Sequence, residues 1–222
     1  MEKLLEDIAY CIEFGKVDQK SPYPPDMKGK DGADELTKQA LNNGLKAKEI
    51  LDNALIPAMN RVGEKFKSNK VFVPQVLMSA KAMNASMSHL KPFFQSGEVK
   101  QKGTFIIGTV AGDLHDIGKN LVSMMVEGSG WKVVDLGTDV KTEKFQEAVN
   151  ENPGAIVGMS ALLTTTMANM EKSVKEMKAQ TPETKIIIGG APVTDKFCGE
   201  IGADFYSPDP NGAVSYLNQL VS

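Results

Sequence analysis

The stretch TFIIGTVAGDLHDIGKNLVSMMVE, residues 104 to 127, passes from a strand pattern to a helix pattern and decides how the second half of the chain is read. Thr104 to Thr109 is short, apolar and rich in β-branched and aromatic residues. Ile117 to Glu127 instead carries apolar residues at helical spacing. Between them lies Gly112-Asp113-Leu114-His115-Asp116-Ile117-Gly118, which holds one of only two histidines in the chain, set among two carboxylates and two glycines. Further strand patterns follow at Lys132 to Asp135, Ala155 to Met159 and Lys185 to Ile188, with a weaker one at Asp204 to Phe205. They alternate with helix patterns at Thr142 to Asn150, Met167 to Ala179, Val193 to Ile201 and Gly212 to Leu220.

Five strand-helix units imply a parallel sheet covered on both faces. The expected fold class is therefore α/β, a doubly wound, flavodoxin-like (Rossmann-like) five-stranded parallel sheet. In such sheets ligands sit at the carboxyl ends of the strands, near the point where strand order reverses. The GDLHDIG loop leaves the first strand at that end. Ser160 to Thr166 leaves the third strand and Gly189-Gly190-Ala191 the fourth, so all three loops share one rim. With the order 2-1-3-4-5, His115 and the hydroxyl cluster face one crevice, and Gly189 and Gly190 allow a bulky group to approach the fourth strand closely.

Residues 1 to 96 read differently, as a small antiparallel four-helix bundle. Leu4, Leu5, Ile8, Ile12 and Phe14 mark one face of a first helix. Helices are expected again at Ala33 to Leu41, at Lys46 to Phe66 with an interruption or kink at Pro57, and from Pro74 through Leu90. Ser21 to Gly32 holds three prolines and two glycines and is expected to be a loop or hinge. Residues 97 to 102 form a polar linker, and residues 103 to 222 the sheet domain.

The 222-residue chain is long enough for a real core, and 25 basic against 28 acidic residues leave a net charge near -3. No basic footprint points to nucleic acid or to an anionic membrane. Cys11 and Cys198 read as reduced thiols, and no apolar run approaches a membrane span, so a cytoplasmic protein is expected. His89 reads as an ordinary polar residue, the twelve methionines as adaptable core filler, and Trp131 as packed against a helix.

Three motifs carry a resemblance. Asp113-x-His115-x-x-Gly118 is followed after 41 residues (119 to 159) by Ser160-x-Leu162, and after 26 more (163 to 188) by Gly189-Gly190. Upstream lie Met59-x-x-Val62-Gly63-x-x-Phe66 and Phe72-Val73-Pro74-Gln75-Val76. This pattern resembles the cobalamin-binding module of methionine synthase and the corrinoid methyl-carrier proteins of multi-component methyltransferase systems. It covers residues 33 to 220, whereas the Ser21 to Gly32 segment has no counterpart in it.

The resemblance implies a cobalamin cofactor with His115 as lower ligand to cobalt, Asp113 as its hydrogen-bond partner and Thr166 completing a relay. It implies that Ser160, Leu162, Thr164, Gly189 and Gly190 line a slot for the displaced nucleotide tail, with Gly112, Leu114, Ile117 and Gly118 shaping the loop. Asp116 reads as a helix N-terminal charge or cap. Phe72 and Val76 are expected to shield the upper face of the corrin, with the 97 to 102 linker as hinge between the domains. The implied function is a shuttle: cobalt accepts a methyl group from a substrate-specific methyltransferase and yields it to a second, folate- or thiol-directed methyltransferase. A reductive activase would rescue oxidised cobalt. Methanol, methylamines, betaines and aryl methyl ethers are all candidate donors. The alternatives are the cobalamin subunit of an adenosylcobalamin-dependent mutase, against which the helical cap speaks, and a cobalamin-based sensor.

Overall fold

The computed structural model describes residues 1 to 221. The chain forms two compact units, Met1–Gln101 with Gly128–Gly130, and Lys102–Glu127 with the chain from Trp131 onward.

The first unit is helical. It comprises α1 (Glu2–Glu13), α2 (Ala33–Asn42), α3 (Ala47–Ile50), α4 (Ile56–Lys67) and α5 (Val73–Gln95). A π-helical turn, Leu51–Leu55, joins α3 to α4, so the chain passes Pro57 without breaking. Pro57 has no N–H to give to the carbonyl four residues back, and the widened turn absorbs its ring at the start of α4. Ile8, Ile12, Leu55, Met59, Met83 and Leu90 are fully buried, as periodicity requires. Phe14 departs from the expectation: it caps α1, stays exposed and stacks against Tyr10 with ring centroids 4.4 Å apart.

The Ser21 to Gly32 segment is not a loose hinge. Lys16, fully buried, donates from Nζ to the Ser21 carbonyl at 2.9 Å. The Glu35 carboxylate accepts from the N–H of Gln19 at 3.0 Å and of Gly32 at 2.9 Å, and Ala33 N–H donates to the Lys16 carbonyl at 3.0 Å. Proline spacing marked the loop; the side chains that fasten it lie outside it. The linker is partly anchored as well, since Val99 is buried and its N–H donates to the Phe93 carbonyl at 3.2 Å.

The second unit contains β1 (Thr104–Thr109), α6 (Ile117–Gly128), β2 (Lys132–Asp135), α7 (Thr142–Glu151), β3 (Ile156–Ser160), α8 (Met167–Gln180), β4 (Ile186–Gly189), α9 (Asp195–Ile201), β5 (Phe205–Ser207) and α10 (Pro210–Gln219). The five strands are parallel in the order β2-β1-β3-β4-β5. Strand order reverses beside β1, between its neighbours β2 and β3. The registers Thr109↔Ser160 and Ser160↔Gly189 make Ser160 and Gly189 the last strand residues rather than the first loop residues. Val193 lies before α9, where Thr194 caps the helix by accepting the Phe197 N–H.

Alternation along the strands separates the two faces. Ile106, Val157, Ile186 and Ile188 point into a core closed by Phe145 of α7, Met170, Val174 and Met177 of α8, and Cys198 and Ile201 of α9. Phe105, Ile107, Gly158 and Ile187 face α6 and α10, where the packing is incomplete. Trp131 is buried and donates its indole N–H to Asn218 of α10 at 3.2 Å. Seven buried methionines, among them Met27, Met125 and Met159, fill core space, and both cysteines are buried and free.

Candidate functional site

The β1–α6 loop is built around Asp113. Its side chain is fully buried, and every oxygen is used. Oδ1 accepts from His115 Nδ1 at 2.8 Å and from the His115 backbone N–H at 3.1 Å. Oδ2 accepts from the N–H groups of Leu162 at 2.8 Å and Leu163 at 3.2 Å, and from the Thr166 hydroxyl at 2.8 Å. Burial alone would push the carboxyl up. The donations from Leu162, His115 and Thr166 outweigh it and hold Asp113 well below the ordinary carboxylate range.

An ionised acceptor at Oδ1 places the His115 proton on Nδ1. The Nε2 lone pair is then left for a ligand. The His115 side chain is 51% exposed, so its outer nitrogen is accessible while its inner one is held. The backbone is held too: Thr109 Oγ1 donates to the His115 carbonyl at 2.8 Å.

The other loops meet this one on two sides. From β3, Leu162 serves through its N–H, and its side chain is exposed; Thr166 sits in a 3-10 turn, Thr164–Thr166, that leads into α8. Asn169 of α8 donates to the Ala111 carbonyl at 2.7 Å. From the β2–α7 loop, Asp139 accepts the Gly112 N–H at 2.7 Å and donates its own N–H to the Asp113 carbonyl at 3.0 Å. Gly112 has φ +82°, a conformation that suits glycine at this bend.

Beside this loop a cavity of about 310 Å³ opens between the sheet and the α6 and α10 helices. Phe105 and Ile107 of β1, Gly158 and Ser160 of β3, Gly189 and Gly190 at the end of β4, and Gly118 of α6 line it, and the β5–α10 turn from Tyr206 to Pro210 closes one end. A Cβ on Gly118 would meet nothing within 4 Å, whereas one on Gly190 would come within 1.8 Å of the Ala161 carbonyl oxygen. Gly118 therefore leaves room for a guest, and Gly190 lets two loops pass.

Three expected site residues, Leu162, Thr164 and Val76, are placed otherwise. Thr164 is exposed and lies outside the cavity wall, as does Leu162, because the chain leaves the wall after Ser160 and turns into the 3-10 segment. Leu114 and Ile117 are exposed beside His115. Asp116 precedes α6, and its carboxylate accepts from the Asn120 side chain at 3.0 Å. In the helical unit Phe72 is 62% exposed, but Val76 is fully buried and presents no surface to a ligand. Asp139, Asn169, Thr109 and the β5–α10 wall were not foreseen. No motif marks them: Asp139, Asn169 and Thr109 act through hydrogen bonds to the β1–α6 loop, and the β5–α10 wall through packing. His89 has an ordinary partner, Asp34 Oδ1 at 2.8 Å. Among the described residues no cluster of three or more His, Cys, Asp or Glu side chains could hold a metal ion by itself.

A histidine with one nitrogen held and the other accessible, beside an open cavity, leaves room for a metal that arrives inside an organic macrocycle. A B12 binding domain family matches residues 103–214, and a second B12 binding domain family matches residues 29–91. The chain belongs to the corrinoid proteins. Its relatives include trimethylamine corrinoid protein 1 of Methanosarcina acetivorans, 40% identical over 85% of this chain and 89% of that one. Among solved structures, a cobalamin-binding protein from Desulfitobacterium hafniense DCB-2 aligns with TM-score 0.73 and 29% identity over 100% of this chain and 98% of that one. The methanol:cobalamin methyltransferase complex MtaBC from Methanosarcina barkeri aligns with TM-score 0.82 and 28% identity, over 99% of this chain and 80% of that one. As a member of the corrinoid proteins the chain binds cobalamin and serves a methyltransferase system as methyl carrier. No helix among the described residues is long and apolar enough to cross a membrane.

Proposed function

We propose that this corrinoid protein carries methyl groups from a substrate-specific methyltransferase to a second methyltransferase with a folate or thiol acceptor, using His115 Nε2 as the lower ligand to cobalt. The observation that carries the reading is the 2.8 Å bond from His115 Nδ1 to a fully buried, fully saturated carboxylate. It orients the ring, selects the tautomer and leaves one nitrogen free. Corrin-bound cobalt supplies a centre that takes up a methyl group and gives it to a second nucleophile.

The residues of this chain fit such a group. Gly118, Ser160, Gly189 and Gly190 line the slot that would receive the nucleotide tail, and Gly118 leaves open space where a side chain would stand. The Thr166 hydroxyl, through the Asp113 carboxylate, extends the hydrogen-bond chain from the imidazole. Phe72 is the cap residue with surface to offer the corrin. The relatives favour a methylated amine as donor, since trimethylamine stands in the name of one at 40% identity. A reductive activase and a cytoplasmic setting belong to the same proposal.

Titration of the corrinoid-free protein with hydroxocobalamin, wild type beside His115→Ala, tests it by visible spectroscopy. The expected result is uptake by both proteins, with the histidine-ligated spectrum only in wild type. Identical spectra would remove His115 from the cobalt.

A further inference from the structure

The geometry points to Asp139 as a positioning residue for His115, a brace from the β2–α7 loop that holds the ligand loop in the pose needed for axial ligation. This inference rests on His115 being the ligand.

Asp139 touches the ligand loop twice. Its Oδ1 accepts the Gly112 N–H at 2.7 Å, and its N–H donates to the Asp113 carbonyl at 3.0 Å. It thus holds the residue before Asp113 and Asp113 itself, two residues from the imidazole. To do so it adopts φ +53°, in the left-handed region that non-glycine residues seldom occupy. Asp139 and Asn69 are the two non-glycine residues recorded with positive φ in the described chain. Strain of this kind persists where the surroundings over-determine it. Here the surroundings are continuous: Gly137 accepts the Thr109 N–H at 3.0 Å, Val140 N–H donates to the Thr109 carbonyl at 2.9 Å, and Thr109 Oγ1 holds the His115 carbonyl. Asp135, at the foot of the same loop, accepts the Gly137 N–H at 2.9 Å and pairs with the buried Lys119 of α6. The end of β2 therefore grips the start of α6, and the loop after it the segment that presents His115.

Three variants separate the acceptor from the backbone conformation. Asp139→Asn keeps an oxygen acceptor and tolerates positive φ, Asp139→Gly keeps the conformation only, and Asp139→Ala keeps neither. Each is loaded with hydroxocobalamin, and the histidine-ligated fraction is read from the visible spectrum beside wild type and His115→Ala; thermal unfolding of the corrinoid-free proteins is read separately. The account expects Asn to match wild type and Gly to lose ~10-fold in axial ligation, a loss of the size typical for outer-shell groups, with Ala losing at least as much. The loss is expected to be absent from corrinoid uptake. Should Asp139→Ala fail to fold, the Asn and Gly pair decides alone. Ligation in Gly equal to wild type, or lost in Asn as fully as in Gly, would overturn the brace. If wild type and His115→Ala cannot be told apart, the ligand assignment has failed instead.

Discussion

The two histidines of this chain each lie 2.8 Å from an aspartate, yet the pairs are built for different ends. His89 uses Nε2, and its partner Asp34 is 42% exposed, with solvent to complete its shell. His115 uses Nδ1, and its partner is fully buried with five donors around it. The difference teaches that a histidine–aspartate bond does not by itself make a ligand site. What sets His115 apart is a carboxylate locked by the protein, with an outer nitrogen left accessible.

If that contrast is right, removing the carboxylates should have unequal effects. Asp113→Ala leaves the Leu162 and Leu163 N–H groups without their acceptor, at ~1–3 kcal/mol for each group, so a loss of ~2–6 kcal/mol is expected. Trp131 is the single tryptophan, lies buried in the α/β unit and reports that unfolding by fluorescence. Thr166→Val removes one donor from a buried anion while keeping the shape, and should cost about 2 kcal/mol by the same probe. A cost near zero would mean that the hydroxyl serves its other neighbour, the Leu163 carbonyl at 2.9 Å.

Asp204 sharpens the comparison because it is saturated without any histidine. It accepts from Lys178 at 2.5 Å, Lys185 at 3.0 Å and the Ile186 N–H at 2.8 Å. Burial pushes its carboxyl up, but these donors bring it below its ordinary value. A depressed carboxyl contributes stability above its unfolded value of ~3.9, and that contribution is lost as pH falls through the folded value. The gap between wild type and Asp204→Asn, about 1 kcal/mol at neutral pH, should therefore shrink below about pH 4. A gap that widens on acidification would reverse the assignment. Smallest of all, Asp34→Ala should cost less than ~1 kcal/mol, since its pair with His89 is open to solvent, and should leave the corrinoid spectrum unchanged.

Much of this contrast was legible in the sequence. The alternation of strand and helix patterns put the three loops on one rim, and β2-β1-β3-β4-β5 is the order expected of a flavodoxin-like sheet, whereas the spacing from Asp113 to Ser160 to Gly189 spoke through family resemblance. Thr166 was reachable only through family resemblance. What escaped is what depends on side chains meeting across loops. Thr164, in the spacer after the Ser160-x-Leu162 motif, is exposed outside the cavity wall, and Val76 is fully buried although it sits inside a matching motif. Asp139 carries no motif, and its role arises from one positive φ and two hydrogen bonds. The Ser21 to Gly32 loop was recognisable by its prolines, but Lys16 and Glu35, which fasten it, belong to flanking segments.

The identity of the ligating nitrogen is best tested by electron paramagnetic resonance of the protein loaded with cob(II)alamin after growth on 15N-histidine. Nitrogen-15 has spin one half and nitrogen-14 spin one, so an axial histidine splits each cobalt line into a doublet when labelled and a triplet when not. The account predicts the doublet in labelled wild type and its loss in His115→Ala. A triplet that persists in the labelled protein would place the cofactor's own base on cobalt and contradict the reading of His115.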